Sequence, residues 1–255
     1  MPQLRPGLHV VRRDDRHLQV GLDPPWRLVV PDDPAVLLLL EDLRAGRPAV
    51  PATPAAHRVL RDLLAADMLV DTAEAPPGAA GASVSVEASG ERLVDANRLL
   101  RAAGCHVGPA TESSVALVLA DGEPPRTTVD AHLRAGRAHL PVSVTPAGVR
   151  LGPFVAPGET ACVRCVDAHL GEHDPRRATV LEQVAGRGGG PRDPAVDALT
   201  TAWAVRDVLT FLEGGRPSTW STTVEVGLDL VVRNRTWARH PYCGCSWGAP
   251  VVAAG

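Results

Sequence analysis

The sequence predicts an α/β protein: a winged-helix-like element at its start, followed by a degenerate Rossmann-like domain that carries a four-cysteine metal site. Three short β-type runs ahead of two helical ones predict the first part. Alternating strand and helix patterns beyond a Pro/Gly/Ala-rich stretch predict the second. Two close-spaced cysteine pairs, Cys162-Val163-Arg164-Cys165 and Cys243-Gly244-Cys245, predict the metal, because four thiolates complete a tetrahedral zinc shell. On this basis residues 1–72 form the first domain, 73–82 a linker and 83–255 the second domain.

In the first domain, Leu8 to Arg12, Leu18 to Leu22 and Trp26 to Val30 are β-type runs, separated by Arg13-Asp14-Asp15-Arg16 and Asp23-Pro24-Pro25. Both separators favour turns, so the runs make a small antiparallel sheet. Asp33 is placed to cap a helix with Pro34 at its first position and Gly46 just past its end. A second helix is expected over His57 to Asp67, with Leu60, Leu63 and Leu64 as its apolar stripe. Pro51 and Pro54 mark a short helical turn before it, and Met68-Leu69-Val70 reads as a return strand. Three strands followed by helices suit a nucleic-acid reader as readily as a peptide binder. The second helix presents His57, Arg58, Arg61, Asp62 and Asp67, a mixed face where phosphate contacts need a basic stripe. Nucleic acid is therefore not the expected partner, although a winged-helix DNA-binding regulator stays open.

Thr72 to Ala82 has the composition of a domain boundary. Beyond it, strands are expected at Ser83 to Ala88, Cys105 to Val107, Val115 to Ala120 and Pro141 to Val144, with helices at Glu91 to Ala103 and Thr127 to Ala135. Such an alternation predicts a parallel sheet. A helical segment then runs to Arg187, Gly188 to Pro191 breaks the chain, and Asp193-Pro194 opens a long helix with Leu199, Trp203, Val205 and Leu209 expected inside. Trp220 to Val226 and Leu230 to Asn234 are the last strands. After the first strand of such a sheet, a nucleotide site needs a glycine-rich turn at a helix start. Glu87-Ala88-Ser89-Gly90-Glu91 offers one glycine between two carboxylates, so no ATP is expected here. An adenylating enzyme is the competing reading.

The 255 residues carry a net charge of −3, and all of the basic residues are Arg. That balance gives no electrostatic attraction for nucleic acid. No apolar run approaches the ~20 residues of a membrane span, and a cytoplasmic protein with no membrane partner is expected. In that compartment cysteine pairs more often bind metal than form disulfides, although a redox pair competes. His169, His173 and His240 lie near the cysteines and compete as ligands, with thiolates favoured by zinc. Cys105 is expected to be a small buried residue.

Gly152 to Cys165, ending in Thr160-Ala161-Cys162-Val163-Arg164-Cys165, together with His240-Pro241-Tyr242-Cys243-Gly244-Cys245, resembles the ThiF-like family, relatives of ubiquitin-activating enzymes with a split four-cysteine zinc site. More closely, the chain is similar to the bacterial peptide-maturation branch. There, a winged-helix-like element recognises precursor peptides and a degenerate ThiF-type body accompanies a separate YcaO-type cyclodehydratase in azole and thiopeptide pathways. The resemblance implies structural Zn²⁺ on Cys162, Cys165, Cys243 and Cys245. It also implies a non-catalytic subunit that binds a precursor leader and delivers it to that ATP-dependent partner, with a second copy of the chain as a further partner. The leader would add as a strand at Trp26, Arg27, Leu28, Val29 and Val30, against His57, Arg58 and Arg61 of the helix.

Overall fold

The computed structural model describes residues 1–71 and 79–246. The chain divides into two compact units, Met1–Pro76 and Pro77–Gly255. The linker expected over 73–82 lies, as far as residue 78, outside the described residues. Ala79 already belongs to the core of the second unit, and its carbonyl accepts a hydrogen bond from the buried Cys105 thiol at 3.3 Å.

The first unit holds β1 (Pro2–Leu4), β2 (Val10–Arg12), β3 (His17–Val20), β4 (Leu28–Pro31), α1 (Pro34–Ala45), α2 (Pro54–Ala65) and β5 (Leu69–Asp71). β2, β3 and β4 form the expected antiparallel sheet, with β4 at one edge. β1 and β5 pair separately as a two-stranded clasp. The sequence carries no alternation over so short a stretch as Pro2–Leu4, which is why this strand was not expected. α1 follows its punctuation: the Asp33 carboxylate accepts from the Ala35 and Val36 N–H groups, and Gly46 closes the helix at φ 65°. α2 begins earlier than expected, at Pro54 with Thr53 as its cap. Proline at the first position lacks only an N–H that the helix does not use. Its buried stripe is Ala56, Val59 and Leu63, whereas Leu64 is 59% exposed.

The second unit is a mixed α/β layer structure. Its elements are β6 (Ser83–Glu87), α3 (Gly90–Ala102), β7 (His106–Val107), β8 (Val115–Ala120), α4 (Arg126–Arg134), β9 (Ala138–Thr145), β10 (Gly148–Leu151), α5 (Val163–Gly171), α6 (Arg177–Val184), α7 (Pro194–Leu212), β11 (Thr222–Gly227) and β12 (Val232–Thr236). Seven strands are ordered β12-β11-β10-β9-β8-β6-β7. The β7, β6, β8 and β9 strands are parallel, as expected. Beyond that stretch, β9, β10, β11 and β12 pair antiparallel. A turn of only Pro146 and Ala147 joins β9 to β10, too short for a parallel crossover. β8 is covered on both faces, which explains its uninterrupted apolar run. On α7 the buried positions include Val196, Ala204, Val205, Val208 and Leu209, while Leu199 is 46% exposed, against expectation. No helix among the described residues is long and apolar enough to cross a membrane.

Two histidines are buried where α4 meets the sheet. His132 Nε2 lies 2.8 Å from a Glu87 carboxylate oxygen, and its Nδ1 accepts from Arg137 at 3.0 Å. The His139 Nδ1–H donates to the Arg137 carbonyl at 3.0 Å. Burial pushes His139 down to about 4. A histidine held neutral in the fold but basic when unfolded contributes stability above its unfolded pKa, and that contribution is lost as pH falls towards the folded pKa. Between about pH 6.5 and 4 the second unit is therefore expected to lose about 3 kcal/mol through this group. Chemical denaturation across that window should give a shallower pH slope in His139→Asn than in the unmodified protein; equal slopes would remove His139 as the cause.

Candidate functional site

The two cysteine pairs meet. Cys162 is the N-cap of α5 and Cys165 lies in its first turn, while Cys243 and Cys245 arrive after β12. The Cys162 sulfur is 3.7 Å from that of Cys165 and 3.6 Å from that of Cys243, and Cys165 is 3.3 Å from Cys245. Metal–sulfur bonds of about 2.3 Å in a tetrahedron require sulfurs about 3.8 Å apart. The four thiols therefore stand where one metal ion could be held. Without a cation the cluster disfavours charge. Hydrogen bonds from Cys162 to Cys165 and Cys245, with burial, drive the Cys162 thiol far up, and burial raises Cys243 to about 11. A dication reverses this preference by supplying the opposite charge, and the helix start at Cys162 also favours thiolate.

Residues not singled out in the sequence hold the centre in place. Trp237 packs against the cysteines and its indole N–H donates to Thr223 at 2.9 Å, while the Arg235 guanidinium lies 4.0 Å over its ring. Arg239 donates to the carbonyls of Gly158 and Cys245 at 2.8 and 2.9 Å, tying both arms of the centre together. Their proximity in sequence to Cys243 was the available signal. A cavity of about 720 Å³ opens beside the centre, lined in part by Asp130, Arg134, Arg164, Tyr242 and Cys245. His169, His173 and His240 do not enter the four-sulfur set.

The crevice at the carboxyl ends of β6, β8 and β9 is filled by the protein itself. Glu87 does not face the α3 start but turns to His132 on the other side of the sheet. Arg92, 2% exposed, donates to the Ala120 carbonyl at 3.0 Å and lies 3.2 Å from Asp197. Arg192 pairs with Asp121 at 3.2 Å. The glycine segment before α7 lies over the same strand ends: the Gly189 N–H donates to the Asp121 carbonyl and the Gly186 N–H to that of Glu123. A Cβ at Gly122 would collide with the Arg187 carbonyl, and one at Gly189 with the Val144 carbonyl. These glycines permit a close approach that closes the crevice.

In the first unit, β4 packs beside α2. Trp26 is 41% exposed, with the Arg5 guanidinium 5.0 Å over its ring, and Val29 is 42% exposed. Arg27, His57, Arg58 and Arg61 are exposed, Leu28 is half-buried, and Val30 is a core residue at 2%. The Val30 side chain therefore faces the interior. Asp32 N–H donates to the Arg16 carbonyl, so alternation turns the N–H and C=O of Leu28 and Val30 towards β3 and those of Val29 outward.

No protein-family model matches the chain, and no curated protein matches it. Solved structures share its fold. The heterocyclase TruD aligns with a TM-score of 0.73 at 17% identity, covering 96% of this chain and 42% of that one. A heterocyclase in complex with substrate and cofactor gives 0.69 at 15%, covering 96% and 39%. E. coli MccB with ATP gives 0.66 at 12%, covering 96% and 99%. MccB is described as the microcin C7 biosynthetic enzyme and is also seen with N-formylated MccA. The chain thus spans about two fifths of the heterocyclases and nearly all of MccB. These neighbours overturn the expectation of a non-catalytic subunit. The heterocyclases and MccB are enzymes, and MccB is seen bound to ATP, so the fold gives no ground for that assignment.

Proposed function

We propose that the chain binds the leader region of a ribosomally made precursor peptide along β4 and presents that peptide for azoline formation with a YcaO-type cyclodehydratase as partner. The observation that carries this reading is the open edge of β4, where the Val29 N–H and C=O point outward beside α2. An added strand gains affinity from such main-chain groups and selectivity from flanking side chains, here Trp26, Arg27, Leu28, Arg58 and Arg61, with His57 at the same helix face. Val30 contributes only by holding the strand in register. A heterocyclase with a comparable architecture supports the peptide-modifying context. In this reading Cys162, Cys165, Cys243 and Cys245 hold Zn²⁺ as a clip between α5 and the segment after β12.

The crevice residues do not fit a triphosphate. Arg92 and Arg192 are engaged by carboxylates, no Lys is present, and residues 186–190 lie over the strand ends. Adenylation is the second reading, favoured by the similarity to MccB along 99% of its length. Pyrophosphate exchange separates the two: exchange that depends on this chain alone would favour adenylation.

Fluorescence anisotropy with labelled leader and core segments of the cognate precursor tests the binding role. The full chain is expected to bind the leader with nanomolar to micromolar affinity, on the order of −8 to −12 kcal/mol. Equal binding of both segments would defeat the proposal.

A further inference from the structure

α5 carries a second cluster of metal-ligating side chains at its other end. His169 lies in its last turn and Glu172 at its C-cap, and His240 reaches them from the segment that leads to Cys243. His240 Nε2 is 3.0 Å from a Glu172 carboxylate oxygen, and His169 Nδ1 is 4.0 Å from the same oxygen. One ligand atom from each of the three residues lies within 4.8 Å of the others. The two imidazole rings meet edge to face, with centroids 4.8 Å apart.

The hydrogen bonds set the ring nitrogens. His169 Nε2 is 3.0 Å from the Ala238 carbonyl, which only accepts, so Nε2 carries the proton and Nδ1 presents a lone pair towards Glu172. A backbone carbonyl that fixes the distal N–H while the proximal nitrogen faces a carboxylate is the arrangement found around metal-bound histidines. His240 also changes its hydrogen bonding. Its Nδ1 accepts from the Tyr242 N–H at 3.2 Å, and binding a metal through Nε2 moves the ring proton from Nε2 to Nδ1, at the cost of that bond. Tyr242 is 87% exposed. The C-terminal end of a helix also favours positive charge, and α5 points that end at the cluster.

We propose that His169, Glu172 and His240 form a second divalent transition-metal site, separate from the four cysteines, with three protein ligands and an open position facing solvent. Two imidazoles and a carboxylate suit Zn²⁺, Co²⁺ or Ni²⁺, and three protein ligands leave a coordination position for water or a substrate oxygen. Glu172 is 57% exposed and forms the outer wall. His240 is 6% exposed and forms the inner one.

Equilibrium dialysis of the full chain, without a histidine tag, against Co²⁺ tests the site. Two equivalents are expected: one with intense thiolate-to-cobalt charge-transfer absorption, the other with only weak visible bands. Glu172→Ala should weaken the second equivalent at least about 10-fold and leave the charge-transfer band unchanged. His169→Gln should do the same by a route that spares the carboxylate. A single equivalent in the unmodified protein, or a second equivalent that survives both substitutions, would overturn the proposal.

Discussion

Cys245→Ala is expected to release the metal from the cysteine centre and to destabilise the unit Pro77–Gly255 by several kcal/mol. Structural zinc contributes about 10–16 kcal/mol of apparent binding free energy to zinc-finger peptides at neutral pH, which matches or exceeds the 5–15 kcal/mol that typically separates a folded domain from its unfolded chain. A metal held there would join α5 to the segment after β12, where Trp237 packs against the cysteines and Arg239 donates to the Cys245 carbonyl. Metal content by mass spectrometry and thermal melting by circular dichroism measure the two effects together. Cys105→Ser is the control, because that thiol lies outside the cluster and donates only to the Ala79 carbonyl, a bond serine can replace. Well-folded protein that carries no metal would remove the structural role.

Val29→Pro is expected to weaken leader binding about 100-fold, or roughly 2.7 kcal/mol. The substitution deletes an N–H that faces away from β3, so the sheet keeps its own hydrogen bonds while the incoming strand loses one and meets the proline ring. Val10→Pro makes the matched control on the opposite edge: Gly21 N–H donates to the His9 carbonyl, which turns the Val10 N–H outward from β2. Binding should survive that change. Circular dichroism of both variants establishes that the sheet persists. Charge reversal at Arg58 or Arg61 should weaken binding of an acidic leader only. If Val29→Pro and Val10→Pro bind alike with the fold intact, recognition does not use the β4 edge.

Local chemistry determined much of this protein. Asp33 with Pro34 and Gly46 set the ends of α1, and Asp193 with Pro194 opened α7, because caps and proline act on the nearest turn. The uninterrupted apolar run at Val115–Ala120 marked a strand buried on both faces. The cysteine spacing announced a four-sulfur set that the fold then gathers. Tertiary structure alone decided the rest, since it depends on which distant surfaces meet. The β1–β5 clasp joins stretches too short to signal themselves. Leu64 and Leu199 fit an apolar stripe in sequence, yet the helices rotate them outward because Leu63 and Val196 fit the core. Glu87 reads as an acid beside a phosphate turn, but strand alternation sends it through to His132 on the opposite face. Gly122 and Gly189 read as loop residues until packing shows that one places the backbone of 187–189 on the ends of β8 and β9 and the other admits it. His169, Glu172 and His240 are neighbours because the segment after β12 returns along α5, a consequence of chain closure that no local pattern encodes.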